Sequence, residues 1–197
     1  MPRAKSHTKE TLTDTAMELF WTRGYAATSL DDLVQYTGVS RHGIYNDFGG
    51  KHALFLACLV RYRVTVVSPA MNHVAAPAAG LSAIEAYFEA QIGRAEAQGL
   101  PGPGCLFANT MTELAPRDDD VRFHVNAHND RLRAGFLNAL RNAMPGEPDK
   151  SLKTLARLTA IFAQGLWSAS RVTEDAGTLR ASVRHYLTLI SERIKND

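Results

Sequence analysis

The chain has 197 residues, 45% of them apolar and 21% charged, which is long enough for a sizeable core and ordinary for a globular protein. A net charge of +2 excludes recognition of a polyanion by bulk charge alone, and two cysteines, Cys58 and Cys105, exclude a disulfide framework and suit a reducing cytoplasm. The N-terminus MPRAKSHTKETL lacks the apolar core of a signal peptide. The longest apolar run, Ala53 to Val60, is far short of the roughly 20 residues that cross a bilayer, so a soluble cytoplasmic protein without membrane contact is expected.

Residues 1–8 are polar and basic and are expected to form a loose arm. Leu12, Ala16, Leu19 and Phe20 give one apolar face to a helix from about Lys9 to Arg23, stopped by Gly24. Ser29 is an N-cap for a short helix carrying Leu30, Leu33 and Val34, with Asp31 and Asp32 at the positive end of its dipole. Gly38 ends that helix, and Ser40 caps the next, from Arg41 to about Phe48. Two capped helices joined by a short glycine-containing turn, the second rich in donors, describe a helix-turn-helix. Residues 1–67 carry eight basic against six acidic side chains, so the whole positive excess lies in this part.

After Gly49-Gly50-Lys51 a helix apolar on more than one side is expected to about residue 67, buried between two bodies. Residues 68–80, with two prolines and a glycine, read as a connection. Further helices are expected over about 81–97, 105–115, from the Asp118-Asp119-Asp120 cap to Met144, over 150–174 and over 178–195; no segment reads as a strand. The expected fold class is all-α.

The block from LFWTRGYAATSL through DDLVQYTGVS and RHGIYNDF to Lys51 resembles the TetR/AcrR family of transcriptional repressors, over about 50 residues from Thr11 to Val60. The resemblance implies an N-terminal three-helix head over residues 1–50, and a helical effector-binding and dimerisation body over 51–197 reached through the fourth helix. It also implies a homodimer formed by the last two helices, a double-stranded DNA operator with palindromic half-sites, and release by a small-molecule effector. Arg41 is suited to pair with guanine, with His42 and Asn46 as shorter donors and Gly43 as a point of close approach. Thr28, Tyr45 and Lys51 match positions that hold phosphates in the family, with Ser40 joining them; Asp47 opposes them.

The body offers candidates for an effector site in Cys105, Asn109, Met111, Glu113, Phe123, His124, Phe162 and Trp167. Cys105 follows a Pro-Gly loop and opens a helix, where the dipole would lower a thiol pKa. The run GCLFANTMTEL resembles a branch of the family that senses reactive carbonyls and electrophiles. His124 and His128 stand at i, i+4, but no nearby residue completes a metal site at that spacing, and neither metal nor cofactor is expected. The alternatives are a helical enzyme using Cys105 with a histidine, which leaves the DNA-reading stretch without a purpose, and a helical adaptor.

Overall fold

Local caps set the first helices of the computed structural model, which describes residues 7–196 and their side chains as far as Glu192; residues 1–6 of the expected arm lie outside these. Thr8 accepts from the Thr11 amide at 3.1 Å and starts α1 (Lys9–Arg23), so the arm is already fixed at its last residue. Ser29 starts α2 (Leu30–Thr37) by a reciprocal exchange: its Oγ accepts from the Asp32 amide, and its own amide donates to the Asp32 carboxylate at 2.8 Å. Gly38 ends α2 at φ 70°, a left-handed conformation that only glycine adopts without strain. Ser40 then accepts from the Gly43 amide and starts α3 (Arg41–Phe48). Leu12, Ala16 and Phe20 of α1, Leu33 of α2 and Ile44 of α3 are buried together with Leu54, Phe55 and Cys58 of α4 (Lys51–Tyr62).

Residues 68–75 are not the connection their prolines suggest. The chain stays helical from Lys51 to Ala75, with a wide i→i+5 turn over Arg63–Val67 joining α4 to α5 (Ser68–Ala75). Pro69 brings no amide and crowds the preceding turn, and the wide turn gives it room. The Ser68 amide bonds the Arg63 carbonyl, and its hydroxyl donates to the same oxygen at 2.8 Å. This 25-residue run is long and apolar enough to cross a bilayer on length and composition, but half of its most apolar window is buried inside this protein. Only residues 76–80 connect to α6 (Leu81–Gln98), and two asparagines from later in the chain clamp that turn. Asn138 donates to the Val74 and Ala76 carbonyls, Asn142 to those of Pro77 and Ala79, all between 2.8 and 2.9 Å.

The remaining helices are α7 (Leu106–Glu113), α8 (Asp119–Ala143, capped by Asp118), α9 (Asp149–Ala169) and α10 (Ala176–Asn196). Among the described residues no strand occurs. α9 stops at Ala169, five residues before the expected Glu174, where the chain turns through Arg171 and Val172, and Asp175 starts α10 by accepting from the Gly177 and Thr178 amides. Phe88, Phe136, Tyr87 and Trp167 fill the body, with Phe88 and Phe136 stacked at 6.1 Å.

Candidate nucleic-acid interface

The outward face of α3 carries Arg41, His42, Tyr45 and Asn46, all exposed, above an inward Ile44 that anchors the helix in the head. The donors are held by light, solvent-exposed contacts. Arg41 pairs with Asp31 of α2 at 2.6 Å, which raises the guanidinium pKa, and His42 and Asn46 bond each other at 3.0 Å. Exposed pairs of this kind contribute about 0–1 kcal/mol, so a base edge or phosphate displaces them at little cost. Asp47, the acid expected to oppose DNA on this helix, shares a hydrogen bond with the His7 ring at 2.8 Å.

Three of the residues expected at the DNA are committed elsewhere. Thr28 is fully buried and its hydroxyl donates to the Gly24 carbonyl at 2.7 Å, so it locks the turn before α2 instead of offering a phosphate ligand. Gly43 is required from within: a Cβ there would stand 2.8 Å from Val39 Cγ1 in the turn. Lys51 is half-buried with its ammonium over the Tyr25 ring, 4.0 Å from the centroid; burial lowers its pKa while Glu113 and Asp32 act to raise it.

That lysine belongs to a seam between head and body that sequence reasoning missed. Glu113, expected among effector ligands, reaches from α7 into the α1–α2 loop, where its carboxylate accepts from the Tyr25 amide at 3.1 Å and the Ala26 amide at 2.7 Å. His52 at the start of α4 bonds Asp118 at 2.8 Å, and the Trp21 indole donates to the Gly104 carbonyl at 3.0 Å. Burial decides these roles, and residues about 87 apart in sequence give no local signal of meeting. Asp120 brings a third ligand-type atom within 4.8 Å of His52 and Asp118, but Asp118 is already spent on His52 and on capping the Val121 amide.

The effector candidates do not form one cluster. Cys105 and Trp167 share a chamber with Trp21, Tyr62, Gln91 and Arg94, whereas Phe123 points outward with 69% of its surface exposed. Asn109 donates to the Pro103 carbonyl, Met111 accepts from Asn129, and Phe162 stacks on Tyr186 at 4.2 Å. The Cys105 thiol is buried, and burial raises its pKa; the Ala108 and Phe107 amides and the Tyr62 hydroxyl pull the other way without overcoming it. The reactive, accessible thiolate expected from the helix start is therefore not what the fold builds. His128 is buried with its ring stacked 4.2 Å from Phe107, its Nδ1 has no hydrogen-bond partner among the described residues, and burial beside Arg131 and Arg63 lowers its pKa to about 3. His124 is shifted down for the same reason.

A helix-turn-helix head that exposes a capped, donor-rich second helix, set on a larger helical body, defines a DNA-binding transcriptional regulator. The chain belongs to the TetR family: residues 12–58 match the bacterial regulatory proteins of the tetR family, and residues 80–186 the tetracyclin repressor-like C-terminal domain. It is 27% identical over 180 residues to the uncharacterised HTH-type transcriptional regulator YezE of Bacillus subtilis (strain 168), covering 89% of this chain and 92% of that one. It is 35% identical over 123 residues to the HTH-type transcriptional repressor ComR of Escherichia coli (strain K12), covering 60% of this chain and 57% of that one. The fold matches a cysteine mutant of the TetR family regulator CifR, solved in complex with 26-base-pair operator DNA, at a TM-score of 0.78 and 21% identity over 94% of this chain and 98% of that one.

Proposed function

We propose that this protein is a cytoplasmic, non-enzymatic repressor that binds a palindromic operator as a homodimer and releases it when a small molecule occupies the body. The observation that carries this reading is the outward face of α3, where Arg41, His42, Tyr45 and Asn46 stand exposed on a buried anchor. Residues 1–50 form the reading head and residues 51–197 the effector and dimer body. ComR, a relative by sequence, is named a repressor, and CifR, a relative by fold, is described on operator DNA. Ser40 and Lys51 supply phosphate contacts at the two ends of α3; Lys51 leaves the Tyr25 ring to do so, a contact worth about 0.5–2 kcal/mol.

Pairing is supported by α9. Leu158 and Ile161 are more than half exposed, and with Gly165 and Ser168 they lie at i, i+3, i+7 and i+10 on one outward stripe. Leu189 of α10 is likewise more than half exposed, and small residues let helices approach closely. A twofold dimer on this face sets two α3 helices at successive major grooves, roughly 34–36 Å apart. Burial of the Cys105 thiol favours an effector that binds without covalent attack.

The test is a titration of DNA from upstream of the protein's own coding region, followed by fluorescence anisotropy, beside sedimentation of the free protein. Saturable binding two protomers at a time is expected. A double variant, Leu158→Asp with Ile161→Asp, is expected to sediment as a monomer and lose specific binding. A monomeric wild type, or a double variant that stays dimeric, overturns the assigned interface.

A further inference from the structure

A cleft of about 440 Å³ runs between head and body, separate from most of the residues that sequence reasoning offered for an effector. Its head wall is Met17, Glu18, Trp21 and Thr22 of α1 with Tyr36 of α2; its body wall is Arg94 and Gln98 of α6, Pro103, and Val66 of the wide turn. It shares Trp21, Val66, Arg94, Gln98 and Pro103 with a smaller chamber that reaches Cys105 and Trp167, so the two adjoin across these side chains and form a paired recess. That volume lies within the range of small-molecule sites, about 300–1,000 Å³.

We infer that this recess is the effector site, that its ligand is a small organic acid with an apolar or aromatic body, and that Arg94 holds the carboxylate. The inference rests on the reading of the protein as an effector-responsive regulator and names the chemistry of that effector. Arg94 is half-buried and, unlike Arg41, Arg61 and Arg180, makes no ion pair with a described residue. A guanidinium fork matches a carboxylate in two parallel hydrogen bonds. Gln91 and Gln98 stand one turn to either side on α6 and give neutral donors and acceptors, while Trp21, Val66, Pro103 and Trp167 give the apolar lining. Glu18 lies on the exposed rim of the opposite wall, where it repels a second acidic group and favours a ligand with one carboxylate. Because the walls belong to head and body, an occupant binds the two arrangements of these parts with different affinity, which is what coupling to DNA requires.

Both tryptophans of the chain, Trp21 and Trp167, line the recess, so intrinsic fluorescence reports on it directly. Full-length protein without DNA is titrated with phenylacetate, 3-phenylpropionate and hexanoate, each beside its neutral amide. Saturable quenching by at least one acid, and none by its amide, is expected. Arg94→Gln is expected to weaken that acid about tenfold or more, the loss that follows removal of a charged hydrogen-bond partner, and Arg94→Lys to recover part of it. Unchanged circular dichroism and operator affinity in Arg94→Gln show that the variant is folded. No saturable response to any of the acids, equal response to acid and amide, or full response in Arg94→Gln overturns the assignment. Operator binding is measured separately, so failure here is distinct from failure of the repressor reading.

Discussion

The outer face of α3 and the seam behind the head use the same kinds of residue to opposite ends. On α3 the donors meet solvent and are held by contacts that exchange easily, Arg41 with Asp31 and His42 with Asn46. In the seam and the body beneath it, polar groups are buried or already satisfied: Thr28 on Gly24, Glu113 on two loop amides, His128 on the face of Phe107. An exposed donor is free to change partners at little cost, whereas a buried one costs about 1–3 kcal/mol when its partner goes. The first group is therefore fit to bind DNA, and the second to hold the head at a defined angle.

Arg41→Ala draws the line most sharply. It is expected to reduce affinity for the specific operator by about 1–3 kcal/mol, roughly fivefold to 150-fold, with little change in Tm, because its contact with the fold is the exposed pair with Asp31. Thr28→Val is the mirror image. It keeps the shape and strands the Gly24 carbonyl, so a loss of about 1–3 kcal/mol in stability, or a few degrees in Tm, is expected with operator affinity preserved in the folded protein. A Thr28→Val variant of full stability and poor DNA binding would return the residue to the phosphate backbone.

His128 extends the buried side of the comparison to pH. Its pKa falls from 6.5 in the unfolded chain to about 3 in the folded one, so the unfolded state takes up the proton first. Stability is complete above 6.5 and declines as pH falls towards 3, by at most about 1.4 kcal/mol per pH unit. In urea denaturation from neutral to mildly acid pH, His128→Phe is expected to remove that slope. The smallest effect belongs to Lys51, which sits on the border between the two regions. Lys51→Met is expected to flatten the salt dependence of DNA binding by about one unit of logarithmic slope, and an unchanged slope assigns the ammonium to Tyr25 alone.

The head was largely legible because its signals are local. Ser29, Ser40 and Gly38 act within three or four residues of themselves, and each stands where its chemistry predicts. Pro69 misled because its effect is absorbed one turn earlier by the wide turn, with Ser68 bonded back to Arg63. Glu113 and Thr28 were misassigned for one reason: residue type names a capacity, and only tertiary burial says whether it faces water. Arg94 carried no signal at all, since a lone arginine late in a helix reads as a solvated charge, and only the fold sets it in one cleft with Trp21 from another part of the chain.

The wide turn over Arg63–Val67 also bears on how such a chain changes length over generations. In an ordinary α-helix, inserting or deleting one residue turns everything beyond it by about 100° and re-aims every side chain. A turn that already holds an extra residue sets aside that constraint, because losing it leaves the faces of α4 and α5 in phase. Residues 63–67 are thus the place in this helix where a single-residue deletion keeps the faces of α4 and α5 aimed as they are, its cost confined to the crowding of Pro69 against an ordinary turn.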